Sequence, residues 1–406
     1  MLQACVYRVS VVGLVVACGC AMSACSTMGS RKPLPSREAS RQAAVSEQAQ
    51  EAPKTEKPIA QAFAEPREER VIGASVLQSQ PVSVPVVNAE SADLPVQTTD
   101  VRVTSSAVRE QAMVMIEKLS RDENAQVRGM AVEAAAMSPQ RLRDIIEAGL
   151  KDDNTGVRSI AAMAVGKNQL RDLRPQVEKL MNDGNNHVRA SAIYATLRTG
   201  GKADQSPLAE MLFSDASPMI SRHAAFLLGE IGNKSAVPLL RSAAIDRTKQ
   251  LPPDQQPIFQ LMVTESLVKL GETKEKAAIQ AALYPSQPGE MESMALAVQM
   301  LGEMKDRDSQ GQLINLASYR DNAGQPYPPE IRLGIALALA RMGVVGSEGV
   351  VIADEFAKND NAALRSQAAF VYGAQGASSL DKLAEMMKDP NPQVRVSAAA
   401  SVMRNR

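Results

Sequence analysis

The amino-acid sequence predicts an all-α fold, an α-solenoid of about eight to nine stacked αα-hairpins over residues 105–406, and three observations predict it. A short phrase recurs about every thirty residues, the apolar residues of each copy fall at helical spacing, and aromatic side chains are scarce. The 406 residues include no Trp, six Tyr and six Phe, so the core has to be assembled from Ala, Leu, Val, Ile and a generous supply of Met.

The phrase reads DDNTGVRSIAAMAVG at 152–166 and DPNPQVRVSAAAS at 389–401. Its copies align on Val127, Val157, Val188, Ile220, Phe259, Ser293, Ile331, Leu364 and Val394, with spacings of 30, 31, 32, 39, 34, 38, 33 and 30. In the strongest copy Val157, Ile160, Ala161, Ala164 and Val165 share one face of a helix. Three residues before the aligned position stands Asn124, Asn154, Asn185, Ser217, Asn361 or Asn391, a short acceptor suited to cap the helix N-terminus. Pro218 and Pro392 then fall on the first helical position, where a missing N–H costs nothing.

A second, more polar helix follows each first one, as in RLRDIIEAGL at 141–150, KSAVPLLRSAAID at 234–246 and SSLDKLAEMMKD at 378–389. A lone hairpin leaves apolar stripes uncovered, so stacking has to supply the core. The stretch 105–122 reads as the second helix of an incomplete starting unit. The far end, ASVMRNR, reads as the close of a first helix, with Arg404 and Arg406 as its solvated cap.

Ahead of the repeats, residues 1–24 read as an export signal, with Arg8, an apolar stretch from Val9 and small residues before a cysteine. Met22-Ser23-Ala24-Cys25 resembles the bacterial lipobox, which implies lipidation at Cys25. Val15-Val16-Ala17-Cys18 is a competing, earlier match, and ordinary signal-peptidase cleavage or an uncleaved anchor is the plainer alternative. Ser26, in place of Asp, implies delivery to the outer membrane. Residues 25–104 are rich in Pro, Ser, Gln, Ala and Glu and read as a flexible tether, with VIGASVLQ at 71–78 as a small motif inside it. All four cysteines lie in the first 25 residues, so no disulfide or cysteine-based metal site is expected in the body.

The repeats resemble HEAT repeats, of the short kind also found in phycobilisome lyases. The mark is an acidic residue and an arginine six apart: Asp122 and Arg128, Asp152 and Arg158, Asp183 and Arg189, Asp389 and Arg395, with Asn359 and Arg365 as a near match. The resemblance implies a polar ladder between neighbouring repeats. It is expected to weaken in the middle, where Asp215 meets Ser221, Asp254 meets Gln260, Pro326 precedes Arg332 and the Ser293 unit has neither partner.

Two surfaces are candidates for binding. Enlarged connections at 248–257, 284–293 and 318–330 precede successive first helices and should form one rim, which holds Tyr284, Tyr319 and Tyr327. The alternative use of these tyrosines is to cover Ala-rich helix ends. The second candidate is a concave face lined by second helices, with Arg141, Arg143, Arg171, Arg174 and Arg241 drifting to Asp354, Glu355, Asp381 and Glu385. A solvated face of mixed charge is the plainer reading of that drift.

Catalytic signatures are not found. His187 and His223 stand in different units, neither at metal spacing, and the metal-binding His-Glu pairs of deoxyhypusine-hydroxylase HEAT proteins are missing. GVVGSEG at 343–349 lacks the GK[ST] of a phosphate loop. Lys plus Arg and Asp plus Glu number 45 each, which offers no field for nucleic acid. The expectation is therefore a lipid-anchored periplasmic scaffold or adaptor for envelope proteins, with no cofactor, no metal and no enzymatic activity. The alternative is a lyase-like enzyme acting on a small molecule, resembling the bilin lyases of the same repeat family.

Overall fold

The computed structural model describes residues 98–214, 217–344 and 347–404, which belong to one compact unit. The signal segment, Cys18, Cys25, the tether to residue 97, Asp215 and Arg406 lie outside the described residues. Eighteen α-helices alternate along the described chain. The first helices of the hairpins are α2 (Ala125–Ala135), α4 (Thr155–Asn168), α6 (Asn186–Arg198), α8 (Pro218–Ile231), α10 (Gln256–Lys269), α12 (Met291–Met304), α14 (Pro329–Arg341), α16 (Ala362–Gln375) and α18 (Pro392–Arg404). The second helices are α3 (Arg143–Gly149), α5 (Arg174–Leu180), α7 (Ser206–Leu212), α9 (Val237–Asp246), α11 (Lys276–Ala281), α13 (Gln310–Ala317), α15 (Ser347–Phe356) and α17 (Leu380–Met386). The chain's first helix, α1 (Thr98–Leu119), begins seven residues before the expected boundary at 105.

The repeated phrase starts each first helix by a relay of side-chain bonds. The Asp152 carboxylate accepts the N–H of Asn154 at 2.8 Å, and the Asn154 Oδ1 accepts the N–H groups of Gly156 and Val157 at 2.9 and 3.3 Å. This satisfies donors that no helical carbonyl can reach. The same relay operates from Asp122 through Asn124, Asp183 through Asn185, Asn359 through Asn361 and Asp389 through Asn391. Helices α10, α12 and α14 have no capping side chain, in keeping with the missing phrase there.

Consecutive first helices pack side by side, and the second helices lie against them as an outer layer. Close approach is set by glycine in every other unit: Gly166, Gly229, Gly302 and Gly373 each stand nine residues after the aligned position. A Cβ on Gly302 would lie 2.7 Å from the Ala338 Cα, and one on Gly229 would lie 2.8 Å from the Ser266 Cα. The stack is thus built in pairs of units, a doubled period that overlies the thirty-residue one.

The two ends of the stack meet. Helix α18 packs against α16 on one side and against both α1 and α2 on the other. Helix α1, with Val108, Ala112, Met113, Ile116 and Leu119 buried, sits between α18 and α2 as α3, α5, α7, α11, α15 and α17 each sit between two first helices. It therefore completes the ninth hairpin, and the solenoid closes into a ring with the first helices inside. This corrects the expectation of an abrupt, solvated C-terminal end. Val394, Val396, Ala398, Ala399, Ala400 and Val402 are buried all around α18, an exposure pattern that an end facing water would not adopt.

Candidate functional site

Ring closure creates a lumen. Nine helices at interaxial distances of about 8–10 Å describe a circle of about 13 Å radius. Each first helix ends at the same mouth of this lumen, and the residue ten after the aligned position lies in or at the last turn: Lys167, Arg198, Glu230, Lys269, Glu303, Arg341 and Arg404. Glu133 and Glu265, at the position one turn earlier, join them. Cations in last turns are favoured by the unpaired helix carbonyls.

The charges at this mouth act on one another across the ring. Burial pulls the Lys167 ammonium below its usual range, against the pull of Glu133, Glu230 and Glu303 from three other helices, and Arg404 adds repulsion. Lys167 is nevertheless exposed to water, so it stands in a wet space walled by protein. The Lys269 ammonium loses solvation too, but Glu265 and Glu230 at 3.0 and 2.6 Å hold its pKa above the usual value, and its Nζ sits 4.7 Å from the Phe226 ring centre. Burial and the neighbouring Arg341 bring Arg404 down to about 10.

The opposite mouth carries the enlarged connections. Tyr319 and Tyr327 stack with ring centres 4.6 Å apart and planes at 24°. Burial, then the neighbouring Tyr319 and Tyr284, raise the Tyr327 pKa. Tyr284 and Tyr319 keep 55% and 43% of their surface in water. Their loop is internally braced: the Asp321 carboxylate accepts from the N–H groups of Ala323 and Gln325 at 2.9 and 2.8 Å, around a left-handed Gly324.

The ladder residues bond across repeats. Arg128 holds Asp152, Arg158 holds Asp183, and Arg365 holds Asp389, each through two guanidinium nitrogens at 2.8–3.2 Å. Each arginine also donates to the carbonyl six residues back in its own repeat. Arg189 and Arg395 donate to the Asp183 and Asp389 carbonyls, and among the described residues neither has a carboxylate partner.

Second helices form the outer layer, which corrects their placement on an inner concave face. Their charges are joined unit to unit in an outer belt: Arg141 pairs with Glu110 at 2.9 Å, Arg143 with Asp172 at 2.5 Å, and Arg241 with Glu272 at 2.5 Å. Arg174 donates to the Thr199 carbonyl at 3.3 Å, and Lys382 and Tyr372 both hold Asp354. Arg171 lies in the 3₁₀ turn ahead of α5. The drift from basic to acidic is thus used locally, in pairs.

Two features escaped the sequence reading. The charged column at the lumen stands in the same alignment as the caps, ten residues on, yet only closure brings its members together. His187 and His223, 36 residues apart, have ring centres at 5.1 Å, and a buried relay runs from Ser159 Oγ to Ser191 Oγ at 2.8 Å and on to His223 Nε2 at 3.1 Å. Among the described residues no group of three or more His, Cys, Asp or Glu is placed to hold a metal ion.

A closed α-solenoid of this hairpin type defines the class, and residues 112–198 match the family model of HEAT repeats. A complex of CpcE and CpcF of phycocyanin lyase from Nostoc sp. PCC7120 is 14% identical, with 66% of this chain and 97% of that chain covered at a TM-score of 0.36. Human deoxyhypusine hydroxylase is 14% identical over 68% of this chain and 99% of that one, at a TM-score of 0.35. An engineered protein is 13% identical over 76% and 96%, at 0.29. No curated protein sequence matches the chain. The expectation of a chain without enzymatic activity is corrected: two of the similar solved structures, the hydroxylase and the lyase, are enzymes.

Proposed function

We propose that the ring is a partner-binding module of the bacterial envelope, held to a membrane by a lipid on Cys25 and displaying the tyrosine platform to a protein partner. One observation carries this reading: Tyr319 and Tyr327 stack across a braced loop, and Tyr319 and the nearby Tyr284 are each about half exposed to water. Such surfaces lose little side-chain entropy on binding and bury much area per residue.

The geometry of α1 supports the display. Its 22 residues span about 33 Å, and its C-terminal end leads directly into α2 at the platform's mouth. The N-terminal end, where the tether joins, therefore lies at the opposite edge. Residues 25–97 reach about 50 Å root-mean-square as a random coil, enough for the platform to search the surrounding envelope.

Crosslinking of the native protein in its membrane fraction, followed by purification and mass spectrometry, tests the reading. A stoichiometric envelope protein joined to residues 284–328, and lost in Tyr319→Ala with Tyr327→Ala, is the expected result. A preparation in which the double variant captures the same proteins removes the platform from the site. Membrane fractionation of Cys25→Ser tests the anchor separately, with release into the soluble fraction expected.

A further inference from the structure

Nine first helices in a ring make nine junctions, and the chain itself bridges eight of them. The ninth, where α18 meets α1 and α2, has no covalent bridge. This seam also lacks two devices that tighten other junctions.

The first is a ladder rung. In Arg128, Arg158 and Arg365 the Nη1 donates to two carbonyls of its own repeat, while Nε and Nη2 hold the Asp five residues before the next aligned position. Arg395 is braced in the same way, its Nη1 lying 2.9 and 2.8 Å from the Asp389 and Pro390 carbonyls. The matching carboxylate round the ring is Asp122, five residues before Val127. That rung is not made. Among the described residues Asp122 accepts the Asn124 N–H at 2.9 Å, and Arg395 donates to no carboxylate.

The second is close approach. Gly166, Gly229, Gly302 and Gly373 tighten α4 on α6, α8 on α10, α12 on α14 and α16 on α18, which uses eight of the nine first helices and leaves α2 over. On α18 the position of those glycines is filled by Met403. A cavity of about 530 Å³ lies there, lined by Met403 together with Ser106 and Met113 on α1, Ser138 after α2 and Leu380 on α17. A well-packed junction leaves no such space. The remaining junctions without a glycine carry a bond from one unit to the next: Arg128 to Asp152 beside α2 and α4, Ser191 to His223 between α6 and α8, Lys276 to Asp306 beside α10 and α12, and Tyr372 to Asp354 beside α14 and α16. At the seam the ladder bond is the one left unmade.

We infer that the ring opens at this seam, α18 parting from α1 and α2, and so gives the lumen a side entrance. In a stack whose stability is a sum of neighbour interfaces, the junction with no chain across it, no glycine approach and an unmade rung opens first. Glu133 on α2 and Arg404 on α18 act on one another across it, so opening brings charged groups of the lumen into water.

The experiment is hydrogen exchange read by mass spectrometry on the full chain carrying Cys5→Ser, Cys18→Ser, Cys20→Ser and Cys25→Ser. Ser106→Cys and Ala377→Cys, which line the same cavity, are either left free or joined by a short bismaleimide. In the free form the buried amides of α18, α1 and α2 should exchange together, about tenfold or more faster than those of α4 and α6. Joining the two cysteines should remove that difference. Equal exchange in all five helices of the free form overturns the inference. So does fast exchange that persists after joining, which marks fraying of the end helices rather than a joint. Fastest exchange at α10 and α12 overturns it as well, because the ring would then yield at a junction the chain bridges.

Discussion

Arg128 reaches from one repeat to the next and holds Asp152 through paired hydrogen bonds of 2.8 Å, Nε to Oδ2 and Nη2 to Oδ1. Both side chains are more than four-fifths buried. The same Asp152 carboxylate accepts from Asn154, the cap of the following helix, so one residue ties the ladder to the helix start. Removing the arginine leaves a largely buried carboxylate short of two donors. Arg128→Ala should therefore cost about 1–3 kcal/mol in chemical denaturation. Arg121→Ala, which breaks an exposed pair with Glu117 at 3.1 Å, should cost at most about 1 kcal/mol. Equal losses would show that the ladder is no more than a surface ion pair.

Glycine at the pairwise interfaces gives a test of opposite sign. Gly302→Ala would place a methyl 2.7 Å from the Ala338 Cα, so the helices must part, at about 1–3 kcal/mol. Gly311→Ala, on the outer helix α13, meets nothing within 4 Å. Removing glycine's backbone freedom there should stabilise by up to about 1 kcal/mol. Thermal melts that move in the same direction for both variants would contradict the close packing of α12 and α14.

Ring closure has its own signature on α1. Ala112 is fully buried against the closing helices, whereas Val114, two residues on, is 61% exposed. A carboxylate introduced by Ala112→Asp has no partner at the seam and should destabilise by several kcal/mol, while Val114→Asp should be nearly neutral. An open stack, with α1 touching only α2, would not separate the two variants so widely.

Much of the fold was legible because its determinants are local. Asn154, Val157 and Arg158 lie within five residues of one another, and each repeats with the unit. Closure is not local. It depends on small rotations accumulated over nine units, so nothing in ASVMRNR distinguishes a free end from one seated against α1. The misplacement of Arg141 and Arg143 on an inner face follows from the same gap, since which helix layer faces inward is set by curvature. The tyrosines were found from loop length alone. Arg404 reads as the solvated cap of a free helix end, the role it would have without closure.

The histidine pair predicts how the ring responds to acid. Burial, reinforced by His187, pushes the His223 imidazole down to about 3, and burial lowers His187 as well. In the unfolded chain both take a proton near 6.5. Below that value the unfolded chain holds more protons than the folded one, so stability falls as the pH is lowered, from His223 alone by about 1.4 kcal/mol per pH unit. Asp152 and Asp389, whose pKa values are depressed despite burial by the Arg128 and Arg365 guanidinium groups, add a further loss only below the ordinary carboxylate range. The two contributions separate in denaturation curves between pH 7 and pH 4. His223→Asn, which keeps a polar group near Ser191, should flatten the slope between about 6.5 and 4.5 and leave the steeper loss at lower pH. A variant with the parent's slope across that interval would assign the acid response to other groups.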